Sequence, residues 1–288
     1  MLTIKNIQVE YGDKVALSVS SPIVFEEGDR IGIIGSNGAG KSTLVKSIIG
    51  LVPYKGSIQS NLRPEDISVH LQENNYVDTM PIKYIMEGIL NTSIRKDKKL
   101  QELIHFFDME KSLNKKFSAL SGGQKQRLTV IMVLMQDKQL VFFDEVTSGL
   151  DFETRQQLME KIKDWYQGKN ATICMVSHYY EELEQLVNKI LILDNGRVVD
   201  FGEKDALFRK YCKNAIITIE NTERNRNLVQ DFAKIAAPNH LIALSCENGD
   251  LEVEIAKLLI ENNISFKRSN SDIEIMSINA KLQGRSQI

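Results

Sequence analysis

The chain has 288 residues, 42% of them hydrophobic, which is enough for one substantial core and a smaller second module. Its 36 basic and 38 acidic side chains give a formal net charge of -2, so no global positive field would recruit nucleic acid. The three cysteines, Cys174, Cys212 and Cys246, are widely spaced, which predicts reduced thiols and neither a disulfide framework nor a zinc site.

The amino terminus predicts a strand, because apolar residues alternate with polar ones from Leu2 to Val9, and this pattern is not that of a signal peptide. The longest apolar stretches are far shorter than the roughly 20 residues that cross a bilayer. A membrane role would therefore need a partner.

The next elements predict an α/β fold with a parallel sheet. An apolar run over residues 30–34 leads into a glycine-rich turn and a helix over 41–49. The same order recurs in a strand over 140–143, a helix over 154–165, a strand over 171–176 and a helix over 179–186. Residues 81–116 lack β-branched runs and predict a small helical insertion.

The carboxyl-terminal third predicts a hairpin and then a separate unit. Asn195 and Gly196 between residues 190–193 and 198–201 suit a type I′ turn. The main domain is expected to end near residue 210. Beyond it, the predicted order is strand 216–220, helix 226–236, strand 241–246, helix 251–262 and strand 264–268, which makes a small α/β appendage.

The strongest motif is GSNGAGKS at residues 35–42, which fits the phosphate-binding pattern GxxxxGK[ST] between a strand and a helix. Glycines let successive N–H groups face phosphates at a helix amino terminus, where the partial positive charge is favourable. Lys41 should reach the β and γ phosphates, and the Ser42 hydroxyl should bind Mg²⁺. The predicted nucleotide-binding residues of this loop are Gly35, Ser36, Asn37, Gly38, Ala39, Gly40, Lys41, Ser42 and Thr43.

Two carboxylates follow the apolar strand LVFF at residues 140–143. They lie at the carboxyl end of a strand, where ligands bind in open α/β sheets. Asp144 is predicted to hold Mg²⁺ and Glu145 to polarise the attacking water. Alone, such a pair would be an ordinary strand end; the upstream phosphate loop makes the catalytic interpretation the better one.

The sequence LSGGQ at residues 120–124, after a phosphate loop and before a carboxylate strand, resembles the signature of the ABC (ATP-binding cassette) ATPases. A serine and two glycines opening a helix also make an anion site, and Ser121 can at the same time cap that helix. The resemblance implies that Ser121, Gly122, Gly123 and Gln124 close over the ATP held by the opposing subunit, in a head-to-tail dimer.

Four further positions match the family's motifs. Gln72 matches the glutamine that can bind Mg²⁺, and His178 the histidine that contacts the γ-phosphate and orients Glu145. Asp151 lies in the segment that bridges the subunits, and Tyr11 matches the aromatic that stacks on adenine. Each has a competing interpretation. Gln72 would be a surface glutamine and His178 a structural histidine, while Asp151 would cap a helix and Tyr11 would pack in the core. Val146 stands where many relatives have proline. This difference alters the stiffness of the loop and changes no catalytic group.

The resemblance implies a P-loop NTPase fold of ABC type: a mixed sheet core, an antiparallel β-subdomain, a helical subdomain over about 81–135 within an ATPase domain of residues 1–210, and a small α/β appendage over 211–288. It implies ATP and Mg²⁺ as ligands, ATP hydrolysis, and a second copy or homologous subunit as dimer partner. A separately encoded transmembrane permease would dock near residues 73–84 and hold the chain at the inner face of the cell membrane. No nucleic acid is expected, and export of antibiotics, peptides or other amphipathic compounds is favoured over import.

Two alternatives remain open at this point. Some ABC proteins act on ribosomes or DNA, but they typically carry two cassettes or a long coiled-coil insertion. The other alternative is a nucleotide-binding regulatory or immunity protein whose tail senses a ligand.

Overall fold

The computed structural model describes residues 1–70 and 76–285, which fold around a ten-stranded sheet and a four-stranded sheet. The strands of the larger sheet are β1 (Leu2–Tyr11), β2 (Lys14–Ser18), β3 (Ile23–Phe25), β4 (Arg30–Ile34), β5 (Lys55–Ser60), β6 (Ile67–His70), β7 (Leu140–Asp144), β8 (Thr172–Val176), β9 (Lys189–Asp194) and β10 (Arg197–Glu203).

The larger sheet is mixed, in the order β3-β1-β2-β10-β9-β4-β8-β7-β6, with β5 paired to β1. Strands β9, β4, β8, β7 and β6 run parallel, whereas β1 pairs antiparallel with β2, β3 and β5. Every residue of β7, β8 and β9 is buried. Parallel strands covered on both faces need such continuous apolar runs, and the predicted mixed α/β fold is confirmed.

Helices cover both faces of this sheet. Helix α1 packs with β1 and β4 in one core, while the helices that follow residue 76 build the other. The helices up to residue 212 are α1 (Lys41–Ile48), α2 (Ile82–Leu90), α3 (Lys98–Phe106), α4 (Gly122–Met135), α5 (Phe152–Tyr166), α6 (Tyr180–Leu186) and α7 (Lys204–Cys212).

The predicted insertion over residues 81–116 contains α2, α3 and a short 3₁₀ turn over Glu110–Ser112. An isolated antiparallel bridge between Pro81 and Lys116 joins its two ends. Helices α2 and α3 both pack on α4, the helix that the LSGGQ sequence opens. The insertion therefore bears directly on that helix.

The hairpin between β9 and β10 has the predicted turn, with φ of 48° at Asn195 and 76° at Gly196. Both values are positive, as a type I′ turn requires. The β9–β10 register pairs Asp194 with Arg197 across the turn.

The appendage contains the four-stranded antiparallel sheet. Its elements are β11 (Ala215–Glu220), α8 (Glu223–Leu228), β12 (Lys234–Ile235), β13 (Leu241–Cys246), α9 (Gly249–Glu261) and β14 (Phe266–Ser269). The strand order β12-β13-β11-β14 with βαββαβ connectivity is a ferredoxin-like arrangement. Where the appendage domain begins stays a prediction.

The predicted helix over residues 226–236 is wrong. Helix α8 ends at Leu228, and Lys234 and Ile235 pair with β13 as a strand. The backbone of Ala236 is held by the Asn279 side chain, which accepts from its N–H and donates to its carbonyl. Sheet pairing and these tertiary bonds outweigh the helix propensity of the alanines.

Helix α10 (Ile273–Arg285), for which the sequence suggests no element, follows the appendage sheet. It packs against α7, α6 and the β9–β10 hairpin of the larger unit. The three cysteines are free and buried. Within residues 1–70 and 76–285, no helix is long and apolar enough to cross a membrane.

Candidate functional site

The phosphate-binding sequence forms the turn between β4 and α1. Gly40 precedes α1 with φ of 100° and offers no side-chain cap, so the first amides of the helix have no side-chain acceptor there. A Cβ on Gly35 would lie 2.5 Å from the Leu193 carbonyl oxygen. The loop thus needs glycine both for its conformation and for its close contact with β9.

A cleft of about 700 Å³ opens over this loop. Side chains from three segments line it: Lys41 at the start of α1, Glu145 and Ser148 after β7, and His178 after β8. The Asn195–Gly196 turn closes one side. Its lining residues are Tyr11, Lys14, Val15, Ala16, Asn37, Gly38, Ala39, Gly40, Lys41, Ser42, Thr43, Glu145, Ser148, His178, Asn195 and Gly196. Half of the predicted nucleotide-binding residues, Tyr11 and those from Asn37 to Thr43, therefore meet in one place.

The Lys41 side chain folds over its own loop. Its Nζ donates to the carbonyl oxygens of Gly35 (2.9 Å) and Ser36 (3.2 Å) and lies 3.5 Å from His178 Nε2. Burial lowers the pKa of Lys41, while the Glu145 and Asp144 carboxylates act in the opposite direction. An ammonium held at a helix amino terminus gives the loop a second source of positive potential for phosphate oxygens.

Glu145 and His178 form a direct pair. His178 Nε2 lies 2.8 Å from Glu145 Oε1, with both groups at the carboxyl ends of neighbouring parallel strands, β8 and β7. Glu145 has φ of 51°, in the left-handed region, and its N–H donates to the Val176 carbonyl. Such a conformation in a non-glycine residue costs on the order of 1–3 kcal/mol and clusters at functional sites.

The residues proposed for Mg²⁺ fit a hard cation. Asp144 is 3% exposed, and burial raises its pKa, while a hydrogen bond from Ser42 lowers it. A hydroxyl and a carboxylate side by side are the oxygen ligands that Mg²⁺ prefers. Gln72, the third predicted ligand, lies outside the described residues.

A buried carboxylate that the sequence analysis did not single out supports the Glu145–His178 pair. Glu182 accepts hydrogen bonds from Thr147 and Ser177, both at 3.0 Å, and forms an ion pair with Arg155 at 3.1 Å. Burial raises the pKa of Glu182, against these hydrogen bonds and the Arg155 charge. The network links the segment after Glu145 to the segment before His178. In the sequence, Glu182 is marked only by its place one helical turn after His178.

The LSGGQ sequence opens α4 as predicted. The Ser121 hydroxyl accepts from the Gln124 N–H at 3.3 Å, and the Gln124 side chain accepts from the Ser121 N–H at 3.1 Å, forming a capping box. A Cβ on Gly123 would lie 2.8 Å from Thr154 Cγ2, so this glycine lets α4 approach α5. The capping interpretation of Ser121 thus applies, and anion binding stays a prediction beside it.

A second cleft, of about 290 Å³, lies over this capping box. Its lining residues are Ser121, Gly122, Gly123, Gln124, Arg127, Gly149, Leu150, Asp151 and Thr154, none of which lines the first cleft. Asp151 accepts from the Thr154 N–H at 3.0 Å and so caps α5. Within one chain, the predicted groups therefore lie in two separate clefts.

Tyr11 lines the first cleft at the end of β1 and is 50% exposed. Core packing therefore does not describe this side chain. Its place at the mouth of the cleft leaves the ring accessible to a flat ligand, and adenine stacking stays a prediction.

Comparisons with known proteins agree with this geometry. Residues 22–148 match the family model described as "ABC transporter". The chain is 31% identical over 233 residues, 74% of this chain and 72% of the relative, to the methionine import ATP-binding protein MetN of Clostridioides difficile. It is 30% identical over 228 residues, again 74% of this chain and 72% of the relative, to the Nod factor export ATP-binding protein I of Rhizobium etli. A solved ATP-binding subunit of an ABC transporter superimposes with a TM-score of 0.65 at 24% identity, over 74% of this chain and 94% of that one.

Proposed function

The chain belongs to the ABC transporter family of ATP-hydrolysing cassettes, and from this premise we propose that it powers a separately encoded membrane permease that exports amphipathic compounds. The observation that carries the ATPase assignment is the Glu145–His178 contact of 2.8 Å beside Lys41, in a cleft over the phosphate loop. Water activation, phosphate binding and charge compensation are then available in one place.

Each residue has a part in the proposed reaction. The loop amides and Lys41 bind and orient the β and γ phosphates of ATP, and Glu145 accepts the proton of the attacking water. His178 holds Glu145 in position and faces the γ-phosphate. Bound Mg²⁺, held by Ser42 and Asp144, would screen the negative charge of the phosphates.

The separation of the two clefts supports a dimer. In one chain, Ser121 and Lys41 line different clefts with no lining residue in common. A head-to-tail pair would bring the Ser121 cleft of one copy over the phosphate cleft of the other. Gly122, Gly123 and Gln124 would then close the second side of each nucleotide, and hydrolysis would remove the anion that joins the copies.

Export is the finer part of the proposal. The Nod factor relative carries the word export in its name, whereas the methionine relative carries import. The class of compound follows from the resemblance to exporters of antibiotics and peptides. The permease is expected to hold the chain at the inner face of the cell membrane by docking near residues 73–84, of which 73–75 lie outside the described residues.

The test is reconstitution with the membrane protein encoded beside this chain. ATP turnover with Mg²⁺ is expected from the chain alone or with the permease, and substrate movement in inverted vesicles gives the direction. Uptake into inverted vesicles supports export, and release from them indicates import. An absence of ATP hydrolysis under all of these conditions would remove the motor function.

A further inference from the structure

Helix α10 lies between the appendage and the nucleotide-binding unit. On the appendage side, the buried Asn279 side chain forms two hydrogen bonds with the backbone of Ala236, at 3.1 Å and 2.8 Å. On the other side, Ile273, Met276 and Ala280 are buried in the core that also holds α6 and α7. The helix thus contacts both the appendage and the nucleotide-binding unit.

Both ends of α10 contact elements that carry the nucleotide site. At its start, the Ile273 N–H donates to the Glu184 carboxylate at 3.2 Å, and Glu184 lies on α6, just after His178. At its end, Arg285 Nε and Nη2 lie 2.9 Å and 2.8 Å from Asp194 Oδ2. Both guanidinium nitrogens therefore converge on a single carboxylate oxygen, in a charge-assisted contact.

Asp194 leads directly into the turn that closes the phosphate cleft. Its Oδ2 also accepts from Asn195 Nδ2 at 3.1 Å. The Gly196 N–H donates to the Ala39 carbonyl of the phosphate loop at 3.2 Å, and the Gly196 carbonyl accepts from the Ser18 N–H at 2.6 Å. A chain of contacts therefore runs from Arg285 through the turn to the loop that is expected to hold the phosphates.

The basic groups of α10 also reach the cleft electrostatically. Burial lowers the pKa of Lys281, which the Asp194 carboxylate opposes. Lys281 in turn adds a small lowering to the pKa of Lys41, after the larger effect of burial.

We propose that Arg285 is a positioning residue for ATP binding: its ion pair with Asp194 holds the Asn195–Gly196 turn against the phosphate loop, so that docking of the appendage through α10 sets the affinity of the nucleotide site. The proposal rests on the nucleotide site described above. It gives the appendage a role in the cassette's own chemistry in addition to packing.

The competing explanation is that the pair only anchors the end of α10. The two explanations differ in what the loss of Arg285 changes. An anchor affects thermal stability and leaves the ATP dissociation constant alone. A positioning residue changes phosphate binding in the ground state and the transition state alike, which raises KM and Kd and leaves kcat nearly unchanged.

The experiment measures ATP binding by calorimetry, ATPase kinetics and thermal melting in the full chain. Arg285→Gln is expected to raise the Kd and KM for ATP three- to tenfold with kcat within twofold, and Arg285→Lys to restore most of the affinity. Asp194→Asn should weaken ATP binding to a similar extent. The double variant should be no weaker than the weaker single variant, because both changes remove one contact.

Lys210→Gln is the matched control. Lys210 on α7 pairs at 2.7 Å with Asp200, which is on the same hairpin but does not line the cleft. The Lys210 side chain is 57% exposed, against 60% for Arg285. This variant should bind ATP as the wild type does. Equal ATP affinity for Arg285→Gln, Lys210→Gln and wild type would overturn the proposal, whereas a wild type that binds ATP but never hydrolyses it would instead count against the proposed function.

Discussion

At the scale of single residues, the centre of the site is a strained glutamate. Glu145 stands in the left-handed region, directly after the buried Asp144, and contacts His178. Strain persists only where surrounding contacts over-determine the conformation. Here the Val176 carbonyl holds the Glu145 backbone. The Glu182 network holds the segment after Glu145, through Thr147, and the segment before His178, through Ser177.

Replacing Glu145 by glutamine should separate binding from chemistry. The amide keeps the shape of the side chain but cannot accept the proton of water, so turnover should fall by about 10²- to 10⁴-fold, the usual contribution of general base catalysis. ATP binding should persist and accumulate a nucleotide-bound dimer, which light scattering with phosphate-release kinetics would detect. Glu181→Gln, the same change at an exposed carboxylate on α6, is the control. Normal phosphate release by Glu145→Gln would exclude Glu145 as the base.

Lys41 should act earlier, at the binding step. Two loop carbonyls hold its ammonium at the start of α1. The phosphate-loop sequence contains no second basic residue that could replace this charge. Lys41→Ala should therefore weaken ATP binding by at least about tenfold, which corresponds to about 1.4 kcal/mol. Titration calorimetry with Mg²⁺ and ATP measures this directly, and unchanged affinity would contradict the assignment of the loop.

A buried histidine gives the fold a pH dependence. His70 is fully buried, its Nε2 lies 3.0 Å from Gln126 Oε1, and burial lowers its pKa from 6.5 to about 4. Between pH 6.5 and about 4, His70 takes up a proton in the unfolded chain but not in the folded chain. The free energy of unfolding therefore falls as the pH falls through this window, by up to about 3 kcal/mol.

The test compares the wild type with His70→Gln, which can still hydrogen-bond Gln126 but does not titrate. Urea unfolding from pH 7.5 to 4 should show a steeper loss of stability for the wild type, because the contributions of other groups cancel in the difference. Parallel pH profiles for the two proteins would show that His70 is not the responsible group.

At the scale of elements, the start of α4 combines two functions in one serine. Its hydroxyl caps the helix, and loss of such a cap costs about 0.5–2 kcal/mol. Gly122 and Gly123 of the same turn line the second cleft, where the start of a helix would favour an anion. A simple Ser121→Ala change would disturb both roles at once.

Ser121→Asp separates them. Aspartate caps a helix as well as serine does, so the free energy of unfolding should stay within about 0.5 kcal/mol of wild type. Its negative charge would meet the γ-phosphate of the opposing copy, and ATP-dependent dimerisation and hydrolysis should fall at least about tenfold, since like charges in close contact are strongly disfavoured. Urea unfolding and ATPase assays together decide the point, and full activity in the stable variant would leave Ser121 with the cap alone.

Local signals explain which elements the sequence could predict. Strands β4, β7 and β8 and helices α5 and α6 were foreseen, because apolar runs and helical spacing lie within short stretches of chain. Helix α8 was predicted too long, since the pairing of residues 234–235 with β13 depends on a strand that follows later. The role of Glu182 could not be predicted, because two of its partners, Thr147 and Arg155, lie far from it in the sequence.

At the scale of the whole molecule, the described residues of the predicted site are divided between two places in one chain. The phosphate loop, Glu145 and His178 meet in one cleft, and the LSGGQ residues lie in another. Ser148 lines the first cleft and the next residue, Gly149, lines the second, so the loop after β7 connects the two clefts. Sequence motifs could name both halves, but only the fold shows that a single chain keeps them apart.

Mixing two inactive variants tests the shared site. Lys41→Ala damages the phosphate cleft and Ser121→Asp the second cleft, so each homodimer should be inactive. In a mixed head-to-tail dimer, the intact phosphate cleft of the Ser121→Asp copy meets the intact second cleft of the Lys41→Ala copy, which restores one complete site of two. At equal concentrations, random pairing makes half of the dimers mixed, so ATPase activity should recover to as much as about a quarter of the wild-type value. If each chain completed its own site, mixing would give only the average of the two inactive variants, and the head-to-tail arrangement would have to be abandoned.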